Sequence, residues 1–475
     1  MSSVRQHLER LRETNDLVSV TERVHWDGAA AEVASEAIRH NCPVTLFENT
    51  SGEIRLASGV YGGADQFAGI DQQPWQRITQ ALDLGADCSY SKLVERLVRQ
   101  ESVDVDDYLT DEVATTVRDD MDIYDLGLPT TDDGSPLVSL GLLVVEKDGV
   151  TTWAPIRGVT QRSKKLRLSV PASFAEWCTQ ESDASVVFGV SAASLVAALQ
   201  GWTQVQPSPT VPELAAGLTD VSMAAVGSRI VPADAEARID GRMSIVEKPM
   251  ADNENGPKAA WELTCDTATV DVETESIALR EQAIVPFTPL GEPLTDDLHL
   301  TCLVETAKLL RRVNNYWGVS PVKWIQIPVE GRLGLCIVSS EILYAGFEWQ
   351  LANTMFSFSK LFDKVLVLDE QADPTNLARA IDDMWVKAHP ANDWVFSEPN
   401  ASSAAAPVYR SADENGSRLY INATWDPRWD EEYIAPRVTF ETTFSENVLE
   451  SLVERWEELG LEELLGEQGV NDVRE

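Results

Sequence analysis

Basic residues are what this sequence has least of: Lys and Arg total 38 against 77 Asp and Glu, giving a formal charge of −39 and a pI near 4.4. Binding to a nucleic-acid backbone works by releasing phosphate counterions to basic clusters, so nucleic-acid partners are excluded. Cysteine is sparse as well. Cys42, Cys88, Cys178, Cys265, Cys302 and Cys336 stand far apart with no C-x-x-C pair, which supports neither a zinc knuckle nor a disulfide framework and leaves reduced thiols as the expectation. No apolar run approaches the length of a bilayer span; the strongest, Leu137 to Val145, is far too short, so no membrane insertion is expected. The first residues lack the apolar core of a signal peptide, and a cytoplasmic protein is expected. G-x-S-x-G, G-x-x-x-x-G-K-[ST] and G-x-G-x-x-G are also missing, which removes the common hydrolase, P-loop and dinucleotide-binding readings.

What is present is an ordinary globular composition, 44% hydrophobic and 24% charged, over 475 residues. That length calls for two or three cores. The acids run from end to end, and arginine outnumbers lysine more than two to one. At ~0.1 M salt the Debye length is about 10 Å and such a surface repels itself; at ~1 M it shrinks to about 3 Å. A diffuse, lysine-poor acidic coat therefore points to adaptation to a salty cytoplasm.

Periodicity divides the chain into three. Residues 1–133 read as a small α/β domain with a linker: Val4, Leu8 and Leu11 at helical spacing, strands at 17–20 and 43–47, a helix from Ala29, and a charged stretch from Glu101 to Asp133. Residues 134–310 are dominated by strands, with alternating segments at 237–245, 261–272 and 276–285, which suits a curved, mostly antiparallel barrel. Residues 311–475 return to α/β, with strands at 322–328, 335–339 and 364–368, a helix over 347–358, and a terminal amphipathic helix opened by the capping-box pattern Thr443-x-x-Glu446. The five cations Arg157, Arg162, Lys164, Lys165 and Arg167 form the densest basic patch, read either as an anion pocket or as a solvated hairpin. If the run stayed extended, alternation would set Arg157, Lys165 and Arg167 opposite Arg162 and Lys164, and Arg157 is the member expected in a cleft.

A series of short pieces in one order carries a family resemblance: Ala31-Glu32-Val33-Ala34, Pro43-Val44-Thr45-Leu46-Phe47-Glu48-Asn49 with Gly52, Ala216-Gly217-Leu218, Val231-Pro232-Ala233-Asp234-Ala235-Glu236 with Gly241, Gly291-Glu292-Pro293, Tyr344-Ala345-Gly346, Val367-Leu368-Asp369-Glu370, and Ile421-Asn422-Ala423-Thr424 with Pro436-Arg437. In these pieces the chain resembles the UbiD-type decarboxylases, 3-polyprenyl-4-hydroxybenzoate carboxy-lyase-like proteins, as a divergent member. The resemblance implies an α/β multidomain fold with a central split β-barrel of the flavin-reductase type, a homo-oligomer, and prenylated FMN held through a divalent metal by an Asn, a His and a Glu. It implies non-oxidative decarboxylation of an aromatic or α,β-unsaturated acid.

Carried over by position, the resemblance makes Arg157 the active-site arginine. Thr152 then stands where the Asn belongs, Leu166-Arg167-Leu168-Ser169-Val170 where the metal histidine belongs, and Ala225 where the metal Glu belongs, so no metal ligand is expected. The loop supplying a catalytic acid appears as Gly256-Pro257-Lys258-Ala259-Ala260, with Glu262 as a displaced replacement, and Lys364 lies one position from the family's C-terminal lysine. Arg157 and Glu262 are thus the candidate catalytic residues, and Thr152, Arg157 and Lys364 the candidate cofactor contacts. Three readings remain: a carboxy-lyase with a rewired site, a silent paralogue acting as partner subunit or scaffold for a UbiD-like chain, and a binding module for a small carboxylate or other anion.

Overall fold

In the computed structural model the described residues are 3–425 except 27, 67–72, 100, 111–112, 119, 131–136, 163, 205, 248–257, 290–293, 332–333, 374, 397–400 and 403–414, together with 448, 451, 455, 458 and 459. The chain divides into units Met1–Thr424 and Trp425–Glu475. The expected terminal helix, the Gly256-Pro257 pair and Gly291-Glu292-Pro293 lie outside the described residues, wholly or for the most part.

The N-terminal helix Val4–Glu13 starts at a capping box, with Ser3 and Gln6 each bonded to the other's backbone N–H. It buries Val4, Leu8 and Leu11, the spacing seen in the sequence. A four-stranded sheet follows, ordered Leu17–Val20, Val44–Phe47, Arg55–Ser58 and Ile284–Pro286. Its last strand comes from far downstream and pairs in parallel with Arg55–Ser58.

The centre is a closed barrel of six antiparallel strands. Around the ring run Ala237–Val246, Glu181–Phe188, Leu137–Lys147, Val150–Arg162, Lys165–Pro171 and Thr267–Leu279, and the last pairs back to the first. Two irregularities bend it. One falls at Asp240/Gly241, where a Cβ on Gly241 would stand 2.0 Å from the Glu273 carbonyl. The other, between Val138 and Gly141, holds Leu140 at φ +50°, a left-handed conformation costly for leucine. The strand containing Arg157 is buried on both faces from 151 to 160. That explains why its sequence does not alternate.

The basic run does not stay extended. One strand ends at Arg162 and the next begins at Lys165, paired to it across a hairpin. The facing expected from simple alternation along 157–167 is therefore corrected: the chain reverses within the run.

The helix Asp296–Trp317 spans 22 residues and stops at Gly318, at φ +69°. The expected domain boundary at 310/311 falls inside it. Beyond it, a five-stranded sheet is ordered Val322–Gln326, Leu335–Ser340, Lys364–Asp369, Leu419–Ala423 and Trp394–Phe396. Its three central strands are parallel and its edges antiparallel. Helices Phe347–Phe358 and Leu377–Lys387 belong to this region. No helix among the described residues is long and apolar enough to cross a membrane.

Candidate active site

Arg157 lies on the barrel strand Val150–Arg162 with 4% of its surface exposed. Its Nε donates to Glu262 Oε2 at 2.5 Å and its Nη2 to Glu262 Oε1 at 3.3 Å. Both side chains are nearly sealed, at 5% and 4% exposure. A forked guanidinium–carboxylate contact of this kind is directional as well as strong. Glu262 sits in a short 3-10 turn, Ala260–Leu263, and its Oε2 also accepts the Ala259 N–H at 2.8 Å. The turn thus presents the carboxylate to a residue 105 positions earlier in the chain.

A second buried carboxyl reaches the turn that holds Glu262. Asp297, in the first turn of the Asp296–Trp317 helix, accepts from the Ala260 N–H at 2.9 Å and from the Thr288 hydroxyl at 3.2 Å. Burial pushes its carboxyl above the usual range, against the pull of those hydrogen bonds and that of Thr295. Asp297, Ala259, Trp261, Pro155 and Ile156 line a small apolar cavity with room for about 30 Å³. That admits a water molecule or two, whereas ligand pockets run from about 300 to 1,000 Å³. Sequence reasoning missed Asp297. Its signal, Thr295-Asp296-Asp297, is that of an acidic helix start, and nothing local says that both acids turn inward. Asp296 is structural: its carboxylate collects the N–H groups of Val60, Tyr61 and Gly62 at 3.0, 2.7 and 2.6 Å.

The other expected site residues lie elsewhere. Thr152 is five residues before Arg157 on a regular stretch of strand, hence on the opposite face and about 16 Å along it. It is fully buried, and its hydroxyl has no hydrogen-bond partner. Ala225 is an exposed residue of the hairpin strand Met223–Val226. Lys364 begins a strand of the C-terminal sheet and pairs with Asp363 at 2.5 Å. Of the basic run, Lys165 Nζ and Arg167 Nε both reach Asp271, at 2.8 Å each. Burial works to raise the Asp271 carboxyl, but these two cations outweigh it and hold it below its ordinary value.

These residues do not fit a metal-bridged flavin phosphate. A hard divalent cation needs several anionic or carbonyl oxygens, or imidazoles. A lone threonine hydroxyl and an alanine methyl supply none, and no group of three His, Cys, Asp or Glu among the described residues could hold a metal.

Comparison with known proteins places the chain. Residues 8–97 match the 3-octaprenyl-4-hydroxybenzoate carboxy-lyase N-terminal domain, and residues 299–423 match the C-terminal domain of the same enzyme class. Both matched segments are domains of the UbiD-type carboxy-lyases. The structure of Sedimentibacter hydroxybenzoicus vanillic acid decarboxylase in open form superposes with a TM-score of 0.72 at 19% identity, covering 96% of this chain and 99% of that one. The UbiD-class enzyme HmfF from Pelotomaculum thermopropionicum, in complex with FMN, gives 0.70 at 18% identity over 93% and 98%. The apo 3,4-dihydroxybenzoic acid decarboxylase of Klebsiella pneumoniae gives 0.70 at 14% identity over 92% and 98%. No curated protein matches the sequence.

Proposed function

We propose that the chain is a carboxy-lyase acting on an aromatic or α,β-unsaturated acid, with Arg157, Glu262 and Asp297 as its acid–base cluster. The observation that carries this is the sealed Arg157–Glu262 fork, with a buried carboxyl of raised proton affinity bonded to the Ala260 N–H of the turn that holds Glu262. Paired charges whose environments differ are what proton-transfer chemistry needs. Arg157 would orient a carboxylate, with Glu262 fixing the guanidinium plane. When the bond to the carboxylate breaks, CO2 leaves and its electron pair stays on carbon. Asp297 then supplies the proton that carbon takes up. A substrate of this class needs the cavity to open. Prenylated FMN is the cofactor class that family membership brings, and HmfF has been solved in complex with it. No step is routed through it here, because the residues at the phosphate end do not suit it. The barrel's likeness to the flavin-reductase split type, a three-part division of the chain, a homo-oligomeric state and a salt-adapted cytoplasmic setting belong to the same proposal.

A second reading has one specific observation behind it. The Thr152 and Ala225 positions, with so small a cavity, suit a silent subunit that supports an active UbiD-like partner. The deciding experiment incubates protein co-produced with a prenyl-FMN synthase with a panel of cinnamate- and hydroxybenzoate-type acids and follows CO2 release. Turnover lost in Glu262→Gln and Asp297→Asn supports the enzyme. No release from any acid, with a second UbiD-like chain co-purifying, supports the silent subunit.

A further inference from the structure

The small cavity beside Asp297 is walled by chain neighbours of the three proposed residues. Ile156 immediately precedes Arg157 on its barrel strand, Trp261 immediately precedes Glu262 in its turn, and Leu300 follows Asp297 by about one helical turn; all three line the cavity. Pro155 adds to the strand side. The facing wall comes from the helix Ala192–Trp202, which opens at Ser191, whose hydroxyl accepts the Ser194 N–H. Every residue of that helix is buried, as in a core helix apolar all round. It packs against the strand that carries Arg157, and Leu195 and Leu199, four positions apart on one helix face, both line the cavity.

The polar groups of the cavity gather on Asp297. Thr288 donates its hydroxyl to Asp297 Oδ1 and its backbone N–H to the Ser139 hydroxyl, both at 3.2 Å, and Asp297 Oδ2 accepts the Ala260 N–H. Thr301, four residues past Asp297, keeps its hydroxyl oxygen sealed, with neither a partner nor accessible surface. A substrate hydroxyl must donate as well as accept, and the Trp261 indole can only donate. Away from Asp297, therefore, no described lining side chain offers an accessible acceptor. To admit a substrate these same side chains must swing aside, and hydrocarbon remains the lining.

We infer that Ile156, Leu195, Leu199 and Trp261 are specificity-determining residues that select an acid with a bare hydrocarbon skeleton over one whose ring carries hydroxyls. A ring hydroxyl pressed against these walls gives up its bonds to water and gains none. An apolar pocket rejects an added hydroxyl by on the order of a hundredfold, so discrimination of about tenfold to a hundredfold is expected. The inference rests on the carboxy-lyase reading above.

The test is calorimetric titration of the full chain, co-produced with a prenyl-FMN synthase and held at a KCl concentration where it is folded, with cinnamate, 4-hydroxycinnamate, benzoate and 4-hydroxybenzoate. CO2 release is followed on the same samples. Each bare acid should bind at least about tenfold more tightly than its hydroxylated partner. Leu199→Gln sets an amide acceptor on the wall at nearly unchanged volume and should close most of that gap, whereas Leu199→Met should keep it. Should Leu199→Gln fail to fold, Ile156→Thr supplies the acceptor instead. Equal or tighter binding of the hydroxylated acids, or an unchanged gap in a folded acceptor variant, overturns the inference and leaves the carboxy-lyase reading standing. Selective binding of the bare acids without CO2 release from any of them supports the selectivity and overturns the reaction. Failure of all four acids to bind overturns both.

Discussion

Replacing Arg157 by Met leaves the Glu262 carboxylate sealed in the barrel with one backbone donor, the Ala259 N–H, in place of the guanidinium fork. Removing one partner of a buried ion pair costs about 3–5 kcal/mol, chiefly because the survivor keeps its charge without its counter-charge. At roughly 2–4 °C per kcal/mol for a domain of some 150–250 residues, the unfolding midpoint should fall by about 6–20 °C. The assay is thermal unfolding of wild type, Arg157→Met, Glu262→Leu and the double variant under identical salt. Because the charges are missed mainly when only one is present, Arg157→Met/Glu262→Leu should recover most of the loss, giving a coupling of about 2 kcal/mol or more. Additive single effects, or an Arg157→Met change below about 1 kcal/mol, would show the pair to behave as a surface contact and would refute the sealed-fork description.

Other outcomes follow from separate parts of the molecule. Unfolding midpoints should rise as KCl goes from ~0.1 M to ~2 M, as screening of the acidic coat completes; a flat or falling curve would remove the salt-adapted reading. Burial lowers His7 to about 4 and His299 to about 3, with the His299 ring accepting the Gly63 N–H, so neither imidazole should titrate by NMR between about pH 5 and 8. Asp297 is raised by burial, so its stabilising share is fully present below the unfolded carboxylate range and lost as pH climbs through its folded value. Asp297→Asn should therefore gain stability relative to wild type as pH rises towards neutrality, and a constant difference would count against a raised carboxyl there. Gly217→Ala would set a Cβ 1.8 Å from the Glu101 carbonyl, and a loss of about 1–3 kcal/mol is expected in chemical denaturation.

The parts of the fold governed by local pattern were legible in the sequence. The 347–358 helix has the expected bounds, and the amphipathic spacing of Val4, Leu8 and Leu11 placed the first helix. Of the alternating segments, 237–245 is a barrel strand, whereas 261–272 and 276–285 share the single strand Thr267–Leu279, flanked by the Ala260–Leu263 turn and by the Ile284–Pro286 strand of the N-terminal sheet. The strand carrying Arg157 was harder, because both of its faces are buried and alternation disappears. The reversal between Arg162 and Lys165 has no glycine or asparagine to announce it, so the basic run read as one extended stretch. The candidate site was half legible. Arg157 and Glu262 were named from position in a family pattern, but their contact is a long-range event that no spacing encodes. Asp297 was hidden because helix-start acids ordinarily face solvent, and only tertiary packing turned this one inward.

The central claim is a working carboxy-lyase cluster that does without a metal-bridged flavin phosphate. Its most direct test measures CO2 release from an aromatic or α,β-unsaturated acid by protein co-produced with a prenyl-FMN synthase, before and after exhaustive EDTA treatment. Metal content is read on the same sample. Turnover that survives EDTA, with manganese well below one per chain, and that is abolished by Glu262→Gln in a folded protein is the result predicted. Stoichiometric manganese, turnover indifferent to Glu262, or no release from any acid in the panel would contradict it.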